Sequence, residues 1–353
     1  MTTKQESQTV KVGWANAHLL MREYLKAGHN TMWVGSPGVG KTALVKLVAK
    51  ELDYDLIIFH PVISDPTDFS GLPWLFKDDK GKAHAVFVPF DQLEALINAK
   101  RPTICFLDDI GQSPAAVQAA CMQLIHGGNI AGKKIPDCVR FIACTNRKQD
   151  RAGVSGILEP VKSRFHFIGE LVPEIEPFVQ HLINSGASPV LVAFMRSRPT
   201  WVTGGPDGWK PINDIANQAS PRTIDHLSDT IKMGLPKAVN HISYTGTVGK
   251  AMANEFIQFE ALANRLPDVD KILRDPMNAP APLNQETCYA LMGALHSRMD
   301  RKNLGNIYWY INKHYSKEMQ VVFHHDVKGY QPALIKHEAY IQWAVTNGDL
   351  LSN

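Results

Sequence analysis

The chain has 353 residues, of which 44% are hydrophobic and 20% are charged, as in folded globular proteins with room for more than one domain. Its formal net charge of +3 excludes a globally basic protein that holds nucleic acid or membranes by charge alone. The five cysteines form no C-x-x-C pair, and the chain has neither an apolar signal core at its start nor a long apolar run. We therefore expect free thiols, no membrane span and a cytoplasmic location.

The first predicted elements surround a glycine-rich loop. Residues 1–12 are polar and expected to fray, and residues 15–27 are predicted to form a helix with one apolar face. A short strand from Thr31 then runs into GSPGVGKT, residues 35–42, and a helical pattern follows at once. This is the phosphate-binding string G-x-x-x-x-G-K-[ST] between a strand and a helix, so a plain glycine-rich turn is the weaker interpretation. Lys41 is expected to reach the β- and γ-phosphates, and Thr42 to bind Mg²⁺.

A second strand is predicted from Tyr54 to Val62, followed by a polar, turn-rich segment. Leu72 to Phe90 contains two apolar runs around KDDKGKAH, which predicts a hairpin with a charged tip. Its aromatic residues either face a binding partner or pin the hairpin by cross-strand packing, and the sequence favours neither interpretation.

The run TICFLDDI, residues 103–110, is apolar until two adjacent carboxylates. Such a run predicts a buried parallel strand, whose carboxyl end is where open α/β sheets place their ligands. Asp108 is the expected outer-sphere partner of Mg²⁺, and Asp109 stands where a carboxylate would polarise the attacking water. The alternative role of the pair is to cap the helix that starts beyond Ser113 and Pro114.

CVRFIACTN, residues 138–146, predicts the next buried strand and ends on an amide. Asn146 can hydrogen-bond both a water nucleophile and a γ-phosphate, although an asparagine at a strand end is more often a turn residue. After a short helix near Pro160 comes Arg164, either a surface cation or an arginine finger that crosses to a neighbouring subunit.

Beyond Pro173 the strand pattern gives way to helices. Ser220, Pro221 and Arg222 fit the cap and the first two positions of a helix. Because a cation is disfavoured in a helix's first turn, Arg222 is a candidate phosphate contact, with a surface role as the alternative. We predict an α/β nucleotide-binding domain over residues 1–172, a helical lid over 173–239 and a mainly helical extension of unknown role over 240–353.

With GSPGVGKT, ICFLDDI, ACTN, KSRF and SPRT in this order, the chain resembles an AAA+ ATPase. The stretches SDPTDFSGLP, PAAVQAACMQLIHGG and EPVKSRF are similar to the MoxR branch of that family. The resemblance covers roughly residues 12–236 and implies a five-stranded parallel sheet with flanking helices, followed by a small helical lid. It also implies ATP and Mg²⁺ as ligands and a ring of identical subunits, usually a hexamer.

The resemblance assigns a role to each matching residue. It makes Asp108 and Asp109 the Walker B acids, with Asp108 and Thr42 at the metal. Asn146 becomes sensor 1, Arg164 the finger acting in trans and Arg222 sensor 2. The nucleotide-binding set that it implies is Gly35, Ser36, Pro37, Gly38, Val39, Gly40, Lys41, Thr42, Ala43 and Arg222. MoxR relatives usually carry Glu at the position of Asp109, and a carboxylate drawn back on the order of 1 Å can slow a reaction about 10²-fold.

Three functions compete on the sequence. Proteins of the MoxR branch remodel or activate protein clients, often beside a von Willebrand factor A domain protein, and the hairpin and the loop Gly127 to Lys134 are candidate client-facing elements. A nucleic-acid motor is the second hypothesis, with Lys133, Lys134, Arg147, Lys148 and Arg151 as candidate pore cations. The third is a nucleotide-gated assembly module in which Asp109 supports no turnover. A phosphate-loop NTPase outside AAA+ is disfavoured by the ordered Asn146, Arg164 and Arg222.

Overall fold

The structure is a computed structural model, which describes residues 9–126, 129–130, 132–150, 153–154, 156–264, 266 and 269–351. Two features predicted from the sequence, Arg151 and part of the loop Gly127 to Lys134, lie outside these residues. The chain separates into two compact units between Pro173 and Glu174. Among the described residues, no helix combines the length and the apolar character that spanning a bilayer requires.

The first unit is built on a parallel sheet of six strands. Its described strands are β1 Val10–Gly13, β2 Thr31–Val34, β3 Asp55–Phe59, β4 Leu72–Lys77, β5 Ala83–Val88, β6 Thr103–Leu107, β7 Asn129–Ile130, β8 Lys133–Lys134, β9 Val139–Thr145 and β10 Phe167–Val172. The parallel sheet has the order β1-β10-β2-β9-β6-β3, and two antiparallel hairpins, β4-β5 and β7-β8, lie outside it.

The predicted fold class, a parallel α/β sheet with flanking helices and a helical remainder, is confirmed, but the predicted count of five strands is wrong. The sixth strand is β1, which pairs in parallel with β10 from Val10 opposite Gly169 to Gly13 opposite Val172. Residues 10–12 belong to the polar segment that the sequence predicts to fray, and this prediction is wrong for them. Pairing with the edge of β10 satisfies their backbone groups, and Val12 is only 7% exposed.

Helices cover both faces of this sheet. In β6, Cys105 and Leu107 pack into one hydrophobic cluster, while Ile104 and Phe106 pack into the cluster on the other face. A strand buried on both sides needs this uninterrupted apolar run, since successive side chains point to opposite faces. The helices of the unit are α1 Trp14–Lys26, α2 Lys41–Leu52, α3 Thr67–Ser70, α4 Asp91–Ile97, α5 Ala115–Ile125 and α6 Glu159–Lys162.

Among its described residues the second unit contains helices and no strand, and it has two hydrophobic clusters. One cluster combines residues from Val179 to Ala290, and the other extends from Val269 to Trp343. The division predicted near residue 239 stays a prediction. The helices are α7 Ile175–Asn184, α8 Pro189–Ser197, α9 Pro221–Lys232, α10 Lys237–Val248, α11 Lys250–Asn264, α12 Val269–Arg274, α13 Gln285–Arg298, α14 Leu304–His314, α15 Lys317–Tyr330, α16 Glu338–Thr346 and α17 Gly348–Leu351.

Candidate functional site

The loop between β2 and α2 carries the glycine-rich string in a compact conformation. Gly38 and Gly40 have φ angles of 77° and 97°, a left-handed region that other residues rarely adopt. Gly35 is needed for a different reason, because a Cβ there would lie 2.9 Å from the carbonyl oxygen of Leu171. The N–H of Gly35 donates to the Thr145 carbonyl over 3.2 Å, which ties the loop to the end of β9. The backbone is thus curled at the start of a 12-residue helix, a geometry suited to phosphate.

Lys41 is buried, and its ammonium group donates three hydrogen bonds. Nζ donates to the carbonyl oxygens of Gly35 at 2.9 Å and Ser36 at 3.1 Å, and to Oδ1 of Asn146 at 2.8 Å. Burial lowers the pKa of Lys41, and the charge of Asp109 is among the groups that act in the opposite direction. An ammonium held in this way is a fixed positive charge at the base of the loop, where a terminal phosphate would be bound.

Thr42 and Asp108 are linked directly, since the Thr42 hydroxyl donates to Oδ2 of Asp108 over 2.9 Å. Asp108 is buried at the end of β6, and its N–H donates to the carbonyl of Phe59 in the neighbouring strand. A hydroxyl and a carboxylate in hydrogen-bond contact are hard oxygen donors of the kind that Mg²⁺ prefers. The pair therefore fits the predicted metal site, with Thr42 as a ligand and Asp108 beside it.

Asp109 is oriented by an unusual backbone conformation and by an amide. Its φ and ψ angles are 57° and 32°, left-handed values that aspartate tolerates better than most residues. Oδ1 of Asp109 accepts a hydrogen bond from Nδ2 of Asn146 over 3.2 Å. Asn146 is itself buried after β9, so its amide contacts Lys41 with one atom and Asp109 with the other.

Neither predicted arginine belongs to the hydrogen-bonded cluster described above. Arg164 follows α6 and precedes β10, whose amino end is at the opposite edge of the sheet from the carboxyl ends that carry the site. Its guanidinium donates to the Pro160 carbonyl over 2.5 Å. Arg222 lies in the second unit, as the second residue of α9 behind a Ser220 cap. The cap, Pro221 and Arg222 thus have the predicted local arrangement, and the roles of both arginines stay predictions.

Three residues near the site were not singled out from the sequence. A Cβ on Gly111 would lie 2.1 Å from Oγ1 of Thr145, so only glycine fits between the turn after Asp109 and β9. The indole Nε1 of Trp14 would be 3.7 Å from a Cβ on Gly40. Gln118 is buried and bonded to distant backbone. The alternation of Val10 and Val12 is a short strand pattern directly before Trp14, which places this residue at a strand end. The sequence contains no comparable signal for Gly111 or Gln118.

A parallel sheet with a phosphate loop after one strand, acids after a second and an amide after a third defines a P-loop nucleoside triphosphatase. Residues 31–168 match the sequence model of the ATPase family associated with various cellular activities, AAA. This segment of the chain therefore matches the AAA family in sequence, which agrees with the broader part of the resemblance described above.

Solved structures with similar coordinates include a RuvB variant from Thermotoga maritima, at 16% identity and a TM-score of 0.41, over 79% of this chain and 81% of that one. The RuvB Holliday junction branch migration motor of the same organism matches at 16% identity and a TM-score of 0.39, over 80% of each chain. A putative ATPase from Cytophaga hutchinsonii matches at 13% identity and a TM-score of 0.32, over 89% of this chain and 80% of that one. No curated protein matches the chain in sequence.

Proposed function

We propose that the chain is a magnesium-dependent ATPase of the MoxR branch of AAA+ that works in the cytoplasm as a ring and remodels a protein client. The observation that carries the catalytic part is the continuous set of contacts from Thr42 to Asp108 and from Lys41 through Asn146 to Asp109. Five polar side chains from three parts of the fold converge at one edge of the sheet, each with the chemistry that phosphoryl transfer to water requires.

In the proposed reaction, the loop backbone and Lys41 bind the phosphates and stabilise the charge that develops on the terminal phosphoryl group. Asp109 accepts a hydrogen bond from the attacking water and polarises it. Asn146 holds Asp109 and Lys41 in a fixed relation, so that the water and the phosphoryl group meet in line. Mg²⁺, when bound near Thr42 and Asp108, supplies positive charge to the phosphate oxygens.

The position of Arg164 supports the proposed ring. In a single chain this arginine lies away from the carboxyl edge of the sheet, so it can complete a nucleotide site only in a neighbouring subunit. Arg222, in the first turn of α9, is the proposed phosphate contact from the second unit. A finger supplied in trans makes turnover depend on assembly, which couples hydrolysis to motion between subunits.

The β4-β5 hairpin supports a protein client. Trp74 is 63% exposed, Leu75 77% and Phe87 53%, so these side chains do not pin the hairpin to the main sheet in this chain. Trp74 pairs with Val86, and Phe87 with Pro73, so apolar side chains occupy both faces of the ribbon. A two-sided apolar ribbon is suited to contact unfolded or partly folded protein segments, which offer apolar side chains of their own.

The nucleic-acid hypothesis has less support from the described residues. Arg147, one of its candidate pore cations, forms ion pairs with Asp150 and with the buried Glu170. Lys134 pairs with Asp137. Cations that are neutralised within the chain contribute little to phosphate binding, and the hypothesis requires ATP turnover that rises with DNA and falls steeply with salt.

The decisive experiment is ATP turnover against protein concentration for the wild type, Lys41→Ala and Arg164→Ala, with each sample sized by light scattering. The proposal expects specific activity to rise as rings form and both variants to lose it. Activity that is independent of concentration, with Arg164→Ala silent, would contradict the ring mechanism. ATP-driven assembly without turnover in the wild type would instead support the nucleotide-gated assembly module.

The client is tested separately with reduced, carboxymethylated α-lactalbumin as a permanently unfolded probe. A photocrosslinker placed next to Trp74 should label this probe in the presence of ATP. Trp74→Ser with Phe87→Ser should reduce the stimulation of turnover by the probe. The matched control is Ile63→Ser, since Ile63 is 83% exposed but lies outside the hairpin. Equal losses from the hairpin and control variants would count against a client surface on the hairpin.

A further inference from the structure

Gln118 is a buried side chain that connects α5 to the segment in front of Arg164. It is 1% exposed. Its Nε2 donates to the carbonyl oxygens of Gly156 at 2.9 Å and Ser113 at 3.2 Å, and its Oε1 accepts from the N–H of Leu158 at 3.0 Å. Both polar atoms of the amide thus bind backbone, and two of the three bonds reach a segment about forty residues away.

That segment sets the position of the proposed arginine finger. Leu158 is the cap residue of α6, and its carbonyl accepts from the N–H groups of Val161 and Lys162. Arg164 in turn donates from its N–H to the carbonyl of Val161 over 3.2 Å. The described residues from 153 to 158 have no helix or strand bonding of their own. Gln118 fixes the position of Leu158, and the short helix α6 fixes the position of Arg164 relative to Leu158.

We call residues 156–158 the finger segment. The junction is the place where this segment meets the turn after Asp109 and the end of β9, beside the nucleotide site. Gly111, two residues after Asp109, has no room for a Cβ, which would lie 2.1 Å from Oγ1 of Thr145 and 3.2 Å from Cδ1 of Ile157. The turn after Asp109, the end of β9 and the finger segment are thus packed against one another. Ser113 keeps its place without Gln118, because its hydroxyl and its N–H both donate to the carbonyl of Ile110. The finger segment is the part of the junction that depends on the amide.

We propose that Gln118 is a positioning residue that holds α6 so that Arg164 reaches the nucleotide site of the neighbouring subunit. This inference rests on the proposed role of Arg164 in trans. A finger that stabilises charge in the transition state affects turnover more than nucleotide binding. Removing the amide is therefore expected to lower kcat by up to about 10²-fold, the loss that a misplacement on the order of 1 Å can cause, with a nearly unchanged KM for ATP.

The experiment uses mixed rings. Gln118→Leu keeps the approximate size of the side chain and removes its hydrogen bonds. Lys41→Ala subunits have a disabled nucleotide site and an unaltered Arg164. Mixing the two variants places a normal finger against the intact sites of Gln118→Leu subunits, so turnover should rise well above that of either variant alone. Gln123→Leu, at an exposed position of the same helix, is the matched control and should retain wild-type turnover.

A mixture of Arg164→Ala with Lys41→Ala tests the foundation of the inference. If that mixture stays inactive in assembled rings, the trans role of Arg164 is wrong and the inference falls with it. If it recovers activity while the Gln118→Leu mixture does not, the trans role stands and Gln118 acts in its own subunit's site, which overturns the inference. Wild-type kcat in Gln118→Leu would overturn it as well.

Gly156→Ala gives a second route that does not disturb a buried side chain. Gly156 has a φ of 116°, which strains any L residue, while a Cβ there would meet nothing within 4 Å. The substitution is expected to turn its carbonyl away from Gln118 without crowding the fold. It should reproduce the lower kcat and the recovery with Lys41→Ala, and it decides the matter if Gln118→Leu does not fold. A Gly156→Ala chain with full activity would contradict the inference.

Discussion

Lys41 donates a hydrogen bond to Oδ1 of Asn146 over 2.8 Å, although 105 residues separate them in the chain. The opposite atom of the same amide donates to Asp109. One side chain therefore joins the phosphate-binding cation to the acid expected to polarise water. Because both contacts use the two ends of a planar amide, a shift of Asn146 moves both groups together.

Asn146→Asp is expected to lower kcat about 10²-fold, the loss typical of removing one oriented donor from a catalytic site. The shape is preserved, but the donor to Asp109 becomes a second carboxylate and the two charges repel. Asn146→Ala should lower kcat less, because it removes the contacts without adding a charge. The kcat values of the two variants and the wild type are obtained from steady-state turnover at varied ATP. Equal kcat for the wild type and Asn146→Asp would exclude a catalytic role for this amide.

Asp109→Asn and Asp109→Glu separate charge from backbone conformation. Asparagine tolerates the left-handed φ of 57°, so Asp109→Asn should fold normally, bind ATP and lose most of its turnover. Glutamate is less suited to that conformation, and Asp109→Glu should lower the free energy of unfolding by about 1 kcal/mol. Turnover and urea unfolding of both variants test this. Unchanged turnover in Asp109→Asn would favour the assembly module.

The site residues could be predicted because a short motif and two buried strands determine them locally. Lys41 and Thr42 belong to one string, and Asp108 and Asn146 each follow a strand whose carboxyl end must lie at the same edge. The strand β1 escaped prediction because its stability comes from pairing with β10, more than 150 residues later. The contacts of Gln118 depend in the same way on tertiary packing.

Gly111→Ala is expected to destabilise the chain by about 1–3 kcal/mol, the usual result of overpacking a core. Thr145 cannot yield easily, since it is buried and its hydroxyl donates to the Asn146 carbonyl. Adding Thr145→Ala to Gly111→Ala should recover part of the loss. The control is Gly246→Ala in α10, where a Cβ meets nothing and the helix should gain about 0.5–1 kcal/mol. Chemical denaturation measures all four chains, and a neutral Gly111→Ala would show that the junction is loose.

The helical unit is expected to lose stability in mild acid through His296. Its ring stacks on Phe323, with ring centroids 4.3 Å apart, and burial lowers its pKa to about 4 although Asp326 lies near. The unfolded chain binds the proton near pH 6.5, whereas the folded chain resists it until about pH 4. The stability of the unit is therefore unaffected by the titration of His296 above pH 6.5 and decreases as the pH falls from 6.5 toward 4. The total loss in the free energy of unfolding through His296 is on the order of 3 kcal/mol.

Urea unfolding at several pH values between 7 and 4.5 measures this loss. His296→Gln cannot take up the proton, so its unfolding free energy should fall less over this range than that of the wild type. Burial also lowers the pKa of His324 to about 4, so part of the acid sensitivity should persist in the variant. The control is His241→Gln at an exposed position of α10, which should follow the wild type. If His296→Gln and the wild type lose stability in parallel, His296 is not held neutral by the fold.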